Sequence, residues 1–387
     1  MGSRVAHSKK RNHHMALKYP NKKKKKGYYK IYGLADTNSR SKVWQFLDEV
    51  IEKIGIPFGI PKRGAKPKLD LKIYSKMIVY MAYFDVTLRE MEDELYRFEK
   101  NSIDFSNIDR WFMKADDYWV KKTTQLLHER IESMFKKACY ISDSTKITTT
   151  QYYETTQIDS EGNRVIELLT LKLHILIAYF IAAGIVSIAN FHVTHGDAND
   201  NPIMNENLLE DVKIRKGRKH HADKGYWSNE NIRKNKSLGL LPNIVPKEGF
   251  DSGLTLKTAI QEYDNEERKK RRGLIEGIFG GITVSQGTKT RFRLDRTRKL
   301  HIGLLALTHE IKTYFRAIAK KAIAFFLFQR NNPAACSVQY VEPCCWPSMP
   351  IAFVRCILSM PTSFNSLSVN LSNVFACIIT DWNAWSG

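Results

Sequence analysis

Cysteine is almost absent from most of this chain. Residues 1–335 contain only Cys139, and the other five, Cys336, Cys344, Cys345, Cys356 and Cys377, crowd the C-terminal end. No C-x-x-C pair exists, which argues against a zinc ribbon, and the body reads as a reduced, intracellular protein. Long apolar runs are missing too. The best candidate, Ile175 to Ala189, is shorter than the roughly 20 residues a helical span needs. It is broken by Ala182-Ala183-Gly184 and preceded by His174, so it reads as two adjacent buried strands and not as a membrane segment. No apolar core follows the basic N-terminus before residue 40, which argues against a secretory signal. Gly-x-Ser-x-Gly and dinucleotide fingerprints are absent, and the glycines of Gly277–Gly281 follow a helix, not a strand, so they make no phosphate loop. Acid is in deficit: 40 Asp+Glu stand against 61 Lys+Arg, for a net charge of +21.

That charge points to a polyanion as partner. The chain has 387 residues, long enough for a substantial core and two or three domains. Residues 1–36, with His13-His14 and the run Lys22 to Lys26, form a basic and weakly apolar arm, flexible when free. Residues 37–137 read as helical. Val43, Phe46, Leu47, Val50, Ile51 and Ile54 recur at helical spacing. Ile56-Pro57 ends that helix, and Pro61 to Pro67 is a basic linker. Leu69 to Phe84 predicts a second helix, and Thr87-Leu-Arg-Glu90 is a capping box for a third. Ser106 is placed to cap a fourth, which carries Arg110, Trp111 and Phe112, before a long helix from Asp117 to Lys137. Short helices with a capped, Arg-bearing third element are compatible with helix-turn-helix DNA binding, though the pattern alone favours a plain bundle.

From Cys139 the hydrophobic period changes. Cys139–Thr150, Arg164–Phe180 and Gly184–Val193 are rich in β-branched and aromatic residues, with a turn at Asp159 to Gly162. A loop from Thr194 to Pro202 leads to a helix over Ile203 to Asp211. Short strands are expected at Arg218–Ala222 and Asn243–Val245, a Ser228-capped helix through Asn235, a basic helix over Asp264–Gly280, and another from His301 to Phe328. This succession defines an α/β layer with a mixed sheet over residues 138–330. Residues 331–387 break the pattern: they contain no Lys, a single Arg (Arg355) and two acids, Glu342 and Asp381. They read as an atypical extension of different origin, with a genuine hydrophobic C-terminal subdomain as the alternative.

Three acids stand out within this basic chain. Asp143 lies among apolar strand residues, where an uncompensated charge is costly. Asp223 follows a strand and precedes a Gly-containing turn. Glu276 sits on a helix four residues after Arg272. Phosphoryl transfer on DNA needs charge compensation at both the attacking and the leaving oxygen. Two divalent ions held by carboxylates supply it. Singly, each acid has a plainer reading: a strand-end cap, a turn residue, and a helix acid paired with Arg272. His195, Asp197 and Asp200 form a loop that can supply either turn caps or support for a ligand set. Asp197 or Asp200 is the alternative to Asp223 as second ligand. His220 and His221, adjacent on a strand, point to opposite faces and so do not share a metal.

Taken in order, Ser142-Asp143-Ser144-Thr145, Ala222-Asp223-Lys224-Gly225-Tyr226 and Arg272 to Glu276 with Phe279-Gly280 resemble the signature of insertion-sequence DDE transposases. Lys172-Leu-His174, the Gly196 to Asp200 loop, Leu88 to Glu92 and Phe105 to Arg110 resemble the same family. Lys269 and Thr283 depart from one branch of it, which has Tyr and Lys there, with Lys289 as a substitute for the latter. The resemblance implies an RNase H-like mixed sheet flanked by helices, preceded by an all-helical DNA-binding region. It implies a metal-dependent transposase that cuts at the element ends and transfers the 3′ end into target DNA. Asp143, Asp223 and Glu276 would hold Mg²⁺ (or Mn²⁺), two ions in all, with Arg272 orienting Glu276 or touching phosphate. Arg110, Lys224, Lys269, Arg271 and Lys289 would contact double-stranded DNA. A homodimer or larger assembly on DNA, in the cytoplasm and nucleoid of a prokaryote, follows from the same resemblance. A nuclease on this fold and a silent DNA-binding relic are the competing readings.

Overall fold

Apolar residues on one stripe of each helix build the first part of the computed structural model. It describes residues 39–331 apart from 60–65, 136–137, 159–161, 163, 250–251, 287–288, 291 and 293. The N-terminal arm, most of the Pro61–Pro67 linker, most of the Asp159–Gly162 turn and nearly all of the 331–387 extension therefore lie outside the described residues. Helix α1 spans Arg40–Ile54 and buries Val43, Trp44, Phe46, Leu47, Val50 and Ile51. Helices α2 (Leu71–Phe84), α3 (Leu88–Glu99), α4 (Phe105–Phe112) and α5 (Asp117–Met134) follow. The Thr87–Glu90 capping box is present at the start of α3. The cap of α4 is Asp104, whose side chain accepts from the Ser106 backbone N–H. Ser106 is thus inside the helix instead of capping it; either oxygen-bearing residue can do the work, and the chain uses the earlier one.

The sheet begins with β1 (Ala138–Ile158), β2 (Arg164–Phe180) and β3 (Ile185–His195), an antiparallel meander. A one-turn helix α6 (Asp200–Ile203) continues directly into a π-helical turn at Met204–Leu208, where a single longer helix was expected. Then come β4 (Lys219–Ala222), α7 (Asn229–Ser237, capped by Ser228), β5 (Leu241–Ile244), α8 (Leu254–Gln261), α9 (Asn265–Gln286), β6 (Lys289–Thr290) and α10 (Asp295–Asn331). The strand order is β3-β2-β1-β4-β5, with β4 and β5 parallel to β1 and β6 pairing the far part of β1. This is the mixed sheet flanked by helices of an RNase H-like fold. β1 runs past the expected limit at Thr150 to Ile158, with Tyr152 and Ile158 exposed.

The helical region and the sheet share one continuous core. Phe46 of α1 stacks on Tyr314 and meets Phe315 of α10 at a tilt, and Trp44 stacks on Phe98. At edge strand β3, Ala189 is an extra residue between two register blocks. There the Ile188 N–H donates to Glu310 of α10 at 2.6 Å, and Ser187 bonds both Glu310 and His128 of α5. A side-chain acceptor thus closes an edge N–H that the bulge leaves unpaired. Among the described residues no helix is long and apolar enough to cross a membrane.

Candidate active site

Strand alternation sorts the site into two faces. Cys139, Ile141 and Asp143 point one way from β1; Ser142 and Ser144 point the other. The β1–β4 register pairs Ser142 with Ala222, so Asp143 and Asp223 are the next residue on each of two adjacent parallel strands. Asp223 is exposed and Asp143 half-buried. Burial pushes the Asp143 carboxyl up to about 6; the Ser144 N–H opposes this, and the charges of Asp223 and Asp200 add to it. The bond from Ser144 N–H to Asp143 Oδ1 is 2.8 Å. Asp143 is thus a half-buried carboxyl whose charged form burial disfavours.

Helix α9 lies over the Asp143 face, anchored at its N-terminal end. Asp264 accepts from the Glu267 N–H, and its own N–H donates to Asn243 of β5. Lys219 of β4 pairs with both Asp264 and Glu267. From there Arg268, Arg272 and Glu276 fall at four-residue spacing, one stripe of the helix. Arg268 Nη2 is 3.1 Å from Asp223 Oδ1, and Arg272 Nε is 2.8 Å from Glu276 Oε1. Arg272 also acts electrostatically on Asp143, favouring its charged form. Glu276 is paired with Arg272 and stays apart from the two aspartates. Among the described residues no three His, Cys, Asp or Glu side chains stand close enough to hold a metal ion. The two aspartates nevertheless suit one: hard oxygen donors, side by side, the inner one in no ion pair among the described residues.

The opposite face carries a denser polar network. Asp200, in the first turn of α6, receives Ser144 Oγ at 3.0 Å and Lys172 Nζ at 2.8 Å, with His174 Nδ1 at 3.2 Å, all on Oδ1. Burial works against its ionisation, yet His174, Lys172 and Ser144 outweigh that and hold the carboxyl down at about 2. His174 Nε2 meets Thr194 Oγ1 at 2.8 Å. Asp197 is instead exposed and lies 3.5 Å from Lys146. Tyr226 is buried; its hydroxyl has no well-directed hydrogen bond among the described residues. Burial pushes that phenol well above its ordinary range, and Asp200 and Asp143 push the same way while Ser144 opposes them. His220 bonds Ser142 and Asn235, whereas His221 faces Asn243 and Glu267. The two histidines are indeed on opposite faces, and burial drives both down to about 4.

The basic candidates scatter. Lys224 is exposed in the turn after Asp223, and Arg110 is exposed in the last turn of α4. Lys269 pairs with Glu266 at 3.2 Å. Arg271 lies over the Tyr179 ring at 5.2 Å, packed against the sheet and turned away from the stripe of Arg268 and Arg272. Lys289 belongs to β6, opposite Thr148. No sequence signal separates Arg268 from its four basic neighbours; only the position of Asp223 singles it out.

Residues 135–311 match the family model of the transposase DDE domain. The match takes in β1 through the first half of α10, and with it all three acids. Over that stretch, a little under half of the chain, the protein is similar to the transposase DDE domain, the family its ordered acidic motifs resemble. No curated protein matches the chain significantly.

Proposed function

We propose that the protein is an insertion-sequence transposase that cuts DNA at the element ends and joins the freed 3′ hydroxyl to target DNA. The supporting observation is the side-by-side placement of Asp143 and Asp223 beyond the paired ends of adjacent parallel strands, with a capped basic helix across them. Asp143 and Asp223 would hold Mg²⁺ or Mn²⁺, joined by Glu276 from α9. When bound, the ions supply the charge that activates the attacking oxygen and stabilises the leaving one. In the free protein Arg268 and Arg272 neutralise Asp223 and Glu276. On DNA these arginines turn to phosphate oxygens, where a planar guanidinium gives charge-assisted bonds. Lys224 and Lys269 add phosphate contacts that position the duplex without reading its sequence.

Residues 37–137 serve as the DNA-contacting region, with Arg110 on its exposed surface, and residues 138–330 as the catalytic one. The protein works as a dimer or larger, because two ends must be brought together. A precleaved end with a free 3′ hydroxyl, incubated with plasmid target, protein and Mn²⁺, separates the readings. Joined product is expected. Cutting of uncleaved ends without joining would make the protein a nuclease, and DNA binding indifferent to metal would make it a binding relic.

A further inference from the structure

Asp200 is the most heavily bonded acid near the site, and the proposed reaction gives it no role. Its Oδ1 takes Ser144 Oγ at 3.0 Å and Lys172 Nζ at 2.8 Å, with His174 Nδ1 at 3.2 Å. An oxygen so surrounded has no room for a metal. Asp200 also approaches β1 from the Ser144 side, the face opposite Asp143. Ser144 is thereby pinned at both ends: its hydroxyl to Asp200 and its N–H to Asp143 Oδ1 at 2.8 Å. The other oxygen of Asp200 reaches the second acid's turn. A Cβ on Gly225 would stand 3.2 Å from Asp200 Oδ2, so Gly225 lets the turn that carries Asp223 close onto Asp200. Next in that turn is Tyr226, buried, whose hydroxyl has no well-directed partner among the described residues and senses Asp200, Asp143 and Asp223. The loop bearing Asp200 is itself clamped: Asn231 Nδ2 donates to the Asn201 carbonyl at 2.9 Å and to the Tyr226 carbonyl at 2.9 Å.

We propose that Asp200 is a positioning residue that sets the two metal-holding aspartates from behind the sheet, Asp143 through Ser144 and Asp223 through the Gly225–Tyr226 turn. The role rests on the metal-dependent reading above. Carboxylates that orient metal ligands through hydrogen bonds typically contribute 10- to 100-fold in affinity. A turn cap alone would need no lysine and histidine partners, so their presence fits a positioning role.

The test is Mn²⁺ affinity of the full chain, read from the electron paramagnetic resonance of free Mn²⁺, in wild type, Asp200→Asn, Ser144→Ala and the double variant. DNA affinity and cleavage kinetics are measured alongside. Asp200→Asn is expected to weaken Mn²⁺ binding by roughly 10-fold or more, to lower kcat, and to leave KM for DNA within about twofold. Ser144→Ala, a small change that leaves the fold intact, is expected to weaken Mn²⁺ less. The double variant should lose less than the product of the two single losses, because one acts through the other. Unchanged Mn²⁺ affinity in Asp200→Asn overturns the positioning role. Independent, multiplicative losses overturn the route through Ser144. A wild-type chain that binds no Mn²⁺ overturns the metal-dependent function itself, and the positioning role with it.

Discussion

Replacing Asp143 with Asn should make the metal-free protein more stable while destroying its capacity for metal. Burial and the neighbouring aspartates raise the Asp143 carboxyl from 3.8 to about 6. At about 1.4 kcal/mol per tenfold change in proton affinity, that amounts to about 3 kcal/mol against the ionised form. Solvent at this half-buried position screens part of it, leaving between about 1 and 3 kcal/mol. Because the folded value lies above the unfolded one, the stability is fully present below about pH 3.8 and is lost as pH rises through about 6. Asn keeps the oxygen that accepts from Ser144 N–H and carries no charge. Urea denaturation with chelator present should therefore show Asp143→Asn more stable than wild type at pH 7 and equal to it at pH 4. Adding Mn²⁺ should stabilise wild type and leave the variant unmoved. A variant that is less stable at pH 7, or equally advantaged at both pH values, would refute the argument that the site stores uncompensated charge for a cation.

Three further outcomes follow from the same geometry. Gly196→Ala would set its Cβ 1.9 Å from Thr170 Oγ1, so thermal unfolding should reveal a loss of about 1–3 kcal/mol, typical of overpacking. Burial pushes Glu310 up to about 8, so its stability contribution fades from about pH 4.5 upward. Glu310→Gln should consequently exceed wild type by something on the order of 3 kcal/mol at pH 7 and match it near pH 4, as read by denaturation midpoints. Arg268→Ala removes the cation on Asp223; calorimetry should find Mn²⁺ binding up to about fivefold tighter, as an exposed pair contributes at most about 1 kcal/mol, while DNA binding weakens.

The parts of this fold that sequence exposes are those where burial imposes a pattern. β2 matches its expected limits because nearly every residue from Leu171 to Phe180 is buried, leaving a continuous apolar run. The Thr87 capping box is equally legible, since two side chains must cooperate at fixed spacing. The far part of β1, residues 151–158, has no strict apolar–polar alternation in sequence, so periodicity falls silent there. Nothing in the sequence marks α8, which is eight residues long and follows Gly253 with no side-chain cap. The site follows the same logic. Asp143 within a strand and Asp223 just past one could be placed from local pattern. That Glu276 is paired with Arg272, that Arg268 covers Asp223, and that Asp200 supports Ser144 from the far face are properties of contacts between residues 56 and 45 positions apart or of one helix's rotation, which no local spacing encodes.

Mn²⁺-dependent cleavage of DNA carrying the flanking repeats, compared across wild type, Asp143→Ala, Asp223→Ala and Glu276→Ala, tests the central claim most directly. The account predicts that wild type cuts, and that all three variants bind DNA with unchanged affinity and cut at least about 100-fold more slowly, as expected when residues act as one unit. Cleavage by Asp143→Ala or Asp223→Ala at the wild-type rate would contradict it.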